Sequence, residues 1–391
     1  MNHIGKPKIV LLGMMTKMPV AGVVWQTVHY LVGLARLGYD VYYVEAHART
    51  PSMFMETETD DGSGKVSTFI AEIMARFGLA GKWAFHALHD DARVYGLSDT
   101  ELRELYREAA LIINLHGGTL PRPEHYATGR LVYLETDPVE VQISLHANDE
   151  ETIRFLEPHC AFFTFGENYG RPDCRLPVSS RFHFKPTRQP VLCDAWETNG
   201  APVGPTLTTI GNWQQNWREV KFAGETFTWS KHFEFLKFID LPRRTSTPLE
   251  LALSSYDNAT LELLGQNGWH VRHALDLSTH IDPYRAYIQG SRGEFTVAKD
   301  QNVRLRSGWF SDRSATYLAA GRPVITQDTG FGNILPTGEG LFAFSTMEEI
   351  LAAIDCINSN YSHHAAQARA IAREWFGAEK VLGNLLAEVG L

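Results

Sequence analysis

The sequence predicts an α/β protein of two Rossmann-like domains that face a central cleft. Three observations carry this expectation. Short apolar runs alternate with helix-periodic stretches in two consecutive series, a proline-rich crossover separates the series, and 391 residues suit two ordinary domains better than one. With 44% apolar and 21% charged residues the chain can pack a core, which excludes a wholly disordered protein.

The first series opens with KIVLLGMM at 8–15, read as a strand. A helix follows over Trp25 to Leu37, stopped by Gly38, and YDVYYVE at 39–45 supplies the second parallel strand. The acidic, glycine-bearing stretch 56–65 reads as an exposed loop before a helix from about Ser67 to Phe77. Ser98, with Glu101 three residues on, marks a capped helix to Ala110 that leads into LIINLHGG at 111–118. RLVYLETDP at 130–138 and CAFFTFGEN at 160–168 then complete the first sheet. Residues 171–205 carry six prolines and little periodicity, so the boundary is placed near 190–205, with domains of 1–195 and 196–391.

The second series has six strand candidates: TLTTIGN at 206–212, LELALSS at 249–255, WHVRHAL at 269–275, GEFTVAK at 293–299, PVITQD at 323–328 and LFAF at 341–344. The tail from about Ser345 to Val389 is helical in pattern and is expected to pack back across the junction. Without a short internal repeat, a solenoid or propeller has no support.

Composition narrows the function classes. Lys and Arg total 36 against 45 Asp and Glu, a formal charge of −9, which argues against a nucleic-acid partner while leaving room for a local basic cleft. The four cysteines lack CxxC or metal-ligand spacing, so neither a zinc module nor a dense disulfide framework is expected, and no cofactor is expected. The apolar run Ile9 to Met15 is too short to span a bilayer; the expectation is a cytoplasmic chain with no integral membrane segment.

The candidate chemistry gathers at strand ends and one helix start. Ser311, Asp312, Arg313 and Ser314 precede the helical run Ala315 to Ala320, which Gly321 ends. Free backbone N–H groups and the positive end of the helix dipole suit a diphosphate there, with Arg313 and the serines adding donors; the plainer alternative is an N-cap and a surface arginine. Lys299 ends a strand and so points to the crevice, with Arg304 or Arg306 as a second cation. Asp328, Thr329 and Gly330 close the next strand, where a carboxylate can accept sugar hydroxyls and glycine lets the backbone approach closely; a simple strand-to-loop turn is the competing reading. Gly211, Asn212 and Trp213 end the second domain's first strand, the tryptophan suiting either base stacking or the core. Lys231 or His232, after Trp229 and Ser230, reaches a phosphate if its helix starts at the cleft.

In the first domain, the loop at 13–26 has no GxGxxG, which counts against NAD or FAD, while Gly22 leaves space for a substrate. His116, before Gly117 and Gly118, and Asp137 both end strands, and either is a candidate general base for an acceptor hydroxyl.

Together these features resemble a GT-B fold glycosyltransferase over nearly the whole chain. The resemblance implies a nucleoside-diphosphate sugar in the second domain, a small-molecule or glycan acceptor shaped by the first, and no obligatory metal. It would bring the donor diphosphate to Ser311 to Ser314, with Lys299 on the phosphate side and Asp328 to Gly330 near the sugar. Many retaining members carry two glutamates bracketing seven residues in this region. Residues 311–321 contain none, so the stereochemical outcome stays open. A nucleotide-sugar epimerase and a non-catalytic sugar-nucleotide-binding protein are the competing expectations.

Overall fold

The computed structural model describes residues 5–46, 51–57, 59–198, 200, 203–215 and 218–391. The first sheet comprises β1 (Lys8–Leu12), β2 (Asp40–Ala46), β3 (Trp83–His86), β4 (Val94–Gly96), β5 (Leu111–Leu115), β6 (Leu131–Glu135), β7 (Ala161–Thr164) and β8 (Phe184–Pro186). Its order is β4-β3-β2-β1-β5-β6-β7-β8, parallel except for β4. The inner strands KIVLL and LIINL are near-continuous apolar runs because both faces of a parallel sheet are covered by helices.

The second sheet comprises β9 (Leu207–Asn212), β12 (Leu249–Ser254), β13 (His270–His273), β14 (Gly293–Thr296), β15 (Val324–Gln327) and β16 (Leu341–Phe344). It is wholly parallel, in the order β13-β12-β9-β14-β15-β16. A small antiparallel hairpin, β10 (Val220–Phe222) and β11 (Glu225–Phe227), stands beside it. Strand order reverses between β1 and β5 in one sheet and between β9 and β14 in the other. Such switch points open a crevice at the carboxyl ends of the strands.

The last helix, Ala378–Glu388, returns to the first unit and lies on the Ala21–Arg36 helix. A Cβ at Gly33 would stand 2.6 Å from Leu382 Cδ1, so this close approach requires glycine. Arg36 pairs with Asp194 at 2.7 Å and Glu379 at 3.3 Å, tying crossover and tail to that helix. Trp196, fully buried, packs against Trp25 with ring centroids 5.0 Å apart and donates from Nε1 to His29 Nε2 at 3.0 Å.

All six strands expected in the second series are present, each trimmed by at most three residues at an end. The first sheet departs from expectation at its edges. β8 lies inside the proline-bearing stretch read as crossover, and β3 and β4 fall where no strand is expected; three- and four-residue edge strands carry too little alternation to be read. The helix expected from Ser67 begins at Gly62, because Asp61 accepts the Gly64 N–H at 2.7 Å and caps it earlier. No helix among the described residues is long and apolar enough to cross a membrane.

Candidate active site between the two sheets

A cleft of about 550 Å³ lies where the strand ends of the two sheets meet. The loop after β1 and the following helix contribute Met18, Gly22, Val23 and Gln26; Thr136 and Asp137 follow β6. From the second unit come Gly211, Asn212 and Trp213 after β9, Trp229 to Lys231, Lys299, Trp309, and Ser311 to Arg313 at the start of the Asp312–Ala319 helix. Ser311 is the N-cap in extended conformation but makes no side-chain cap, so its hydroxyl satisfies none of the first-turn N–H groups. Asp312 sits at this helix start and accepts from Gln26 Nε2 across the gap at 3.3 Å; burial raises its pKa.

Asp137 is held by the opposite unit. Lys299 Nζ donates to Oδ1 at 3.0 Å and Oδ2 at 2.8 Å, Trp229 Nε1 donates to Oδ2, and Arg218 stands 3.6 Å away. The Lys299 ammonium lies 3.5 Å over the Trp229 ring, and desolvation lowers its pKa against the opposing pull of Asp137. Lys231 borders the same space and forms no side-chain hydrogen bond or salt bridge among the described residues. Desolvation, then the nearby Arg313, push its pKa well below the ordinary lysine value, so an anion in the cleft would favour its charged form.

Gly22, Gly211, Asn212, Trp213, Asp137, Lys299, Ser311, Asp312 and Arg313 therefore share one cleft, although their roles divide. The Arg313 guanidinium is engaged by protein: Nε donates to Glu294 Oε1 at 2.5 Å, Nη1 to the Ile210 carbonyl at 2.6 Å and Nη2 to Thr296 Oγ1 at 3.0 Å. Trp213 is 3% exposed and stacks on Phe235. Its packing favours the core alternative over base stacking. Lys299 is the N-cap of the Asp300–Leu305 helix; the strand before it stops at Thr296.

The remaining expected residues lie outside the cleft lining. Ser314 faces the protein interior, fully buried, because the helix turns its third residue inward. Arg306 bonds Asp173 at 2.6 Å and Asp328 at 3.0 Å, in a cluster where Asn168 donates to the Arg306 carbonyl at 2.9 Å and Asn333 to Asn168 at 3.0 Å. Thr329 donates to the Trp309 carbonyl at 2.6 Å, and Gly330, at φ +97°, packs against Asn168. These groups join the two units, their charges and hydrogen bonds paired with one another outside the lining of the cleft. His116, in the left-handed region at φ +63°, bonds Thr136 Oγ1 through Nδ1 at 2.7 Å; burial lowers its pKa to about 4, leaving a neutral imidazole at pH 7.

Sequence reasoning gave no role to Gln26, Thr136 or Trp309: they enter the cleft only because distant segments converge. Among the described residues no group of three or more His, Cys, Asp or Glu side chains is arranged to hold a metal ion.

No family model and no curated protein matches the chain. Solved structures match it along nearly its whole length. AviGT4, a glycosyltransferase involved in avilamycin A biosynthesis, is 10% identical with a TM-score of 0.56, over 98% of this chain and 96% of that one. An alpha-glucosyltransferase (AGT) in complex with UDP is 9% identical with a TM-score of 0.58, over 99% and 100%. HepE of Anabaena, in complex with UDP-glucose, is 11% identical with a TM-score of 0.55, over 98% and 99%. The alpha-glucosyltransferase has also been seen with UDP-glucose and DNA containing an abasic site. The chain thus has the GT-B fold, two Rossmann-like units facing a cleft, that these glycosyltransferases share.

Proposed function

We propose that this protein is a glycosyltransferase that moves a sugar from a nucleoside-diphosphate sugar to an acceptor hydroxyl in the cleft. The observation that carries the reading is the second unit's wall: an N-cap without a side-chain bond at the Asp312 helix, with Lys231 and Lys299 bordering the same space. Backbone N–H groups and two ammonium ions are what a departing diphosphate requires, because negative charge grows on it as the glycosidic bond breaks. Lys299 serves two partners in this reading. When it turns toward the diphosphate, Asp137 is released to accept the acceptor's proton.

The cations stand in for a divalent ion, so transfer is expected to persist in EDTA. UDP and UDP-glucose, bound by relatives of the same fold, are the first donors to test. The net charge of −9 favours a small-molecule or glycan acceptor over nucleic acid, with duplex DNA as the control.

A thermal-shift and calorimetric screen against nucleoside diphosphates and their sugars tests the reading, since a ligand that binds only the folded state stabilises it by about 2.7 kcal/mol at a hundred times its Kd. Stabilisation by none of them overturns it. Donor interconverted without transfer would point to an epimerase, and tight binding without turnover to a binding protein.

A further inference from the structure

A second cavity, of about 670 Å³, opens beside the cleft over the carboxyl ends of β1, β2 and β5, and Met53 borders both. One part of its wall is apolar: Met53 and Leu120 are 58% and 69% exposed, with Leu88 beside them. Another part is cationic. Lys17 donates to the Gly118 carbonyl, and the half-buried Arg122 donates to His86 Nδ1 at 3.1 Å and pairs with Glu124 at 2.6 Å. Among the described residues Glu151 is the one carboxylate in the lining, and it is exposed; Glu124, outside the lining, is the one that pairs with Arg122.

A third observation is independent of charge. Thr119 is 1% exposed, lines this cavity, and its Oγ1 has no hydrogen-bond partner. Its position is not slack, because the buried Asn114 grips its backbone from both sides, donating to the Thr119 carbonyl at 2.9 Å and accepting from its N–H at 3.4 Å. A buried hydroxyl without a partner costs free energy, which favours a turn of the Thr119 side chain that brings Oγ1 to a ligand oxygen in the cavity.

We propose that this cavity receives the acceptor and that the acceptor is an amphipathic anion, with an apolar body and a phosphate or carboxylate group. The inference rests on the glycosyltransferase reading for the word acceptor, and on the cavity alone for the chemistry. The anion meets Lys17 and Arg122, and the Thr119 hydroxyl once its side chain turns; the apolar body lies along Met53, Leu88 and Leu120; a hydroxyl passes Met53 into the cleft.

Calorimetry on the full chain, with and without saturating UDP, tests this using octyl glucoside, octyl glucoside 6-phosphate, octyl glucuronide and glucose 6-phosphate below their micelle concentrations. At least one octyl anion should bind tenfold or more tighter than both octyl glucoside and glucose 6-phosphate, and the two anions separate phosphate from carboxylate. Arg122→Met should erase the advantage of charge and leave UDP affinity unchanged; Lys17→Met serves if that variant does not fold. No gain from charge, no gain from the octyl chain, or an equal loss for all four probes in the variant overturns the proposal. Failure of UDP to bind would instead count against the transferase reading, and the probe affinities without UDP would still judge the cavity.

Discussion

Two polar clusters join the two units, each built on ion pairs between an aspartate and a cation, to different ends. Around Arg306, the carboxylates of Asp173 and Asp328 share one guanidinium while Asn168 and Asn333 complete the bonding, so the cluster closes on itself. Around Asp137, the cations Lys299 and Arg218 and the Trp229 indole converge on one carboxylate at the edge of a 550 Å³ space, with Lys231 beside them. The first cluster clamps the units together and the second lines the candidate site. Both clusters pair their charges internally; what separates them is that the second lines the cleft, with Lys231 beside it, which residue identity alone does not reveal.

The largest effect that would sharpen this contrast is on Arg313. It borders the cleft, yet its guanidinium neutralises the fully buried Glu294. Arg313→Ala should cost about 3–5 kcal/mol of stability, as expected for leaving a buried charge unpaired, and equilibrium denaturation measures it. A variant of unchanged stability that loses UDP affinity would return Arg313 to the phosphate site.

Asp137→Asn removes the proposed proton acceptor and should lower turnover by about a hundredfold or more in a sugar-transfer assay. His116→Gln, outside the cleft lining, should lower it less. The reverse order would exchange their roles.

Lys231→Ala and Arg306→Ala compare the clusters directly. Lys231→Ala should weaken UDP about tenfold by calorimetry, the loss of a charge-assisted hydrogen bond, while Tm holds. Arg306→Ala should lower Tm by a few degrees and leave UDP affinity alone. Matching phenotypes would remove the distinction between clamp and site.

The smallest effect concerns Glu135, buried at the end of β6 beneath Asp137's loop, where desolvation raises its pKa to about 8 despite hydrogen bonds from Thr164 and Tyr169. Its folded pKa lies above the unfolded value, so its contribution is present at low pH and is lost as pH rises from the ordinary glutamate range through about 8. Glu135→Gln should therefore raise Tm at pH 8 by a few degrees, and the gain should fade toward pH 4.5 in scanning calorimetry.

Much of the architecture was legible because it rests on local patterns. Apolar runs such as LFAF and LIINL, the Ser98 and Glu101 capping box, and Gly321 at φ +67° closing its helix are each set by neighbours a few residues away. The site was legible only in part. Ser311, Lys299 and Asp137 were reachable because strand ends and helix starts of a doubly wound sheet face its crevice. Asp328 obeys the same rule and still lies elsewhere, because the segment 166–175 of the first unit packs beside it, with Asn168 against Gly308 and Gly330; Arg306, at the C-terminal end of the Asp300–Leu305 helix, pairs with Asp328 there.

The sequence by itself determined that this protein has two parallel-sheet units with cations and glycines at the strand ends, since period, caps and turns act over short stretches of chain. Only the tertiary structure decided which of those charges pair with one another and which of the pairs line the cleft. That choice depends on contacts between residues more than a hundred positions apart, such as Lys299 with Asp137 and Arg306 with Asp173, and no local pattern encodes such a pairing.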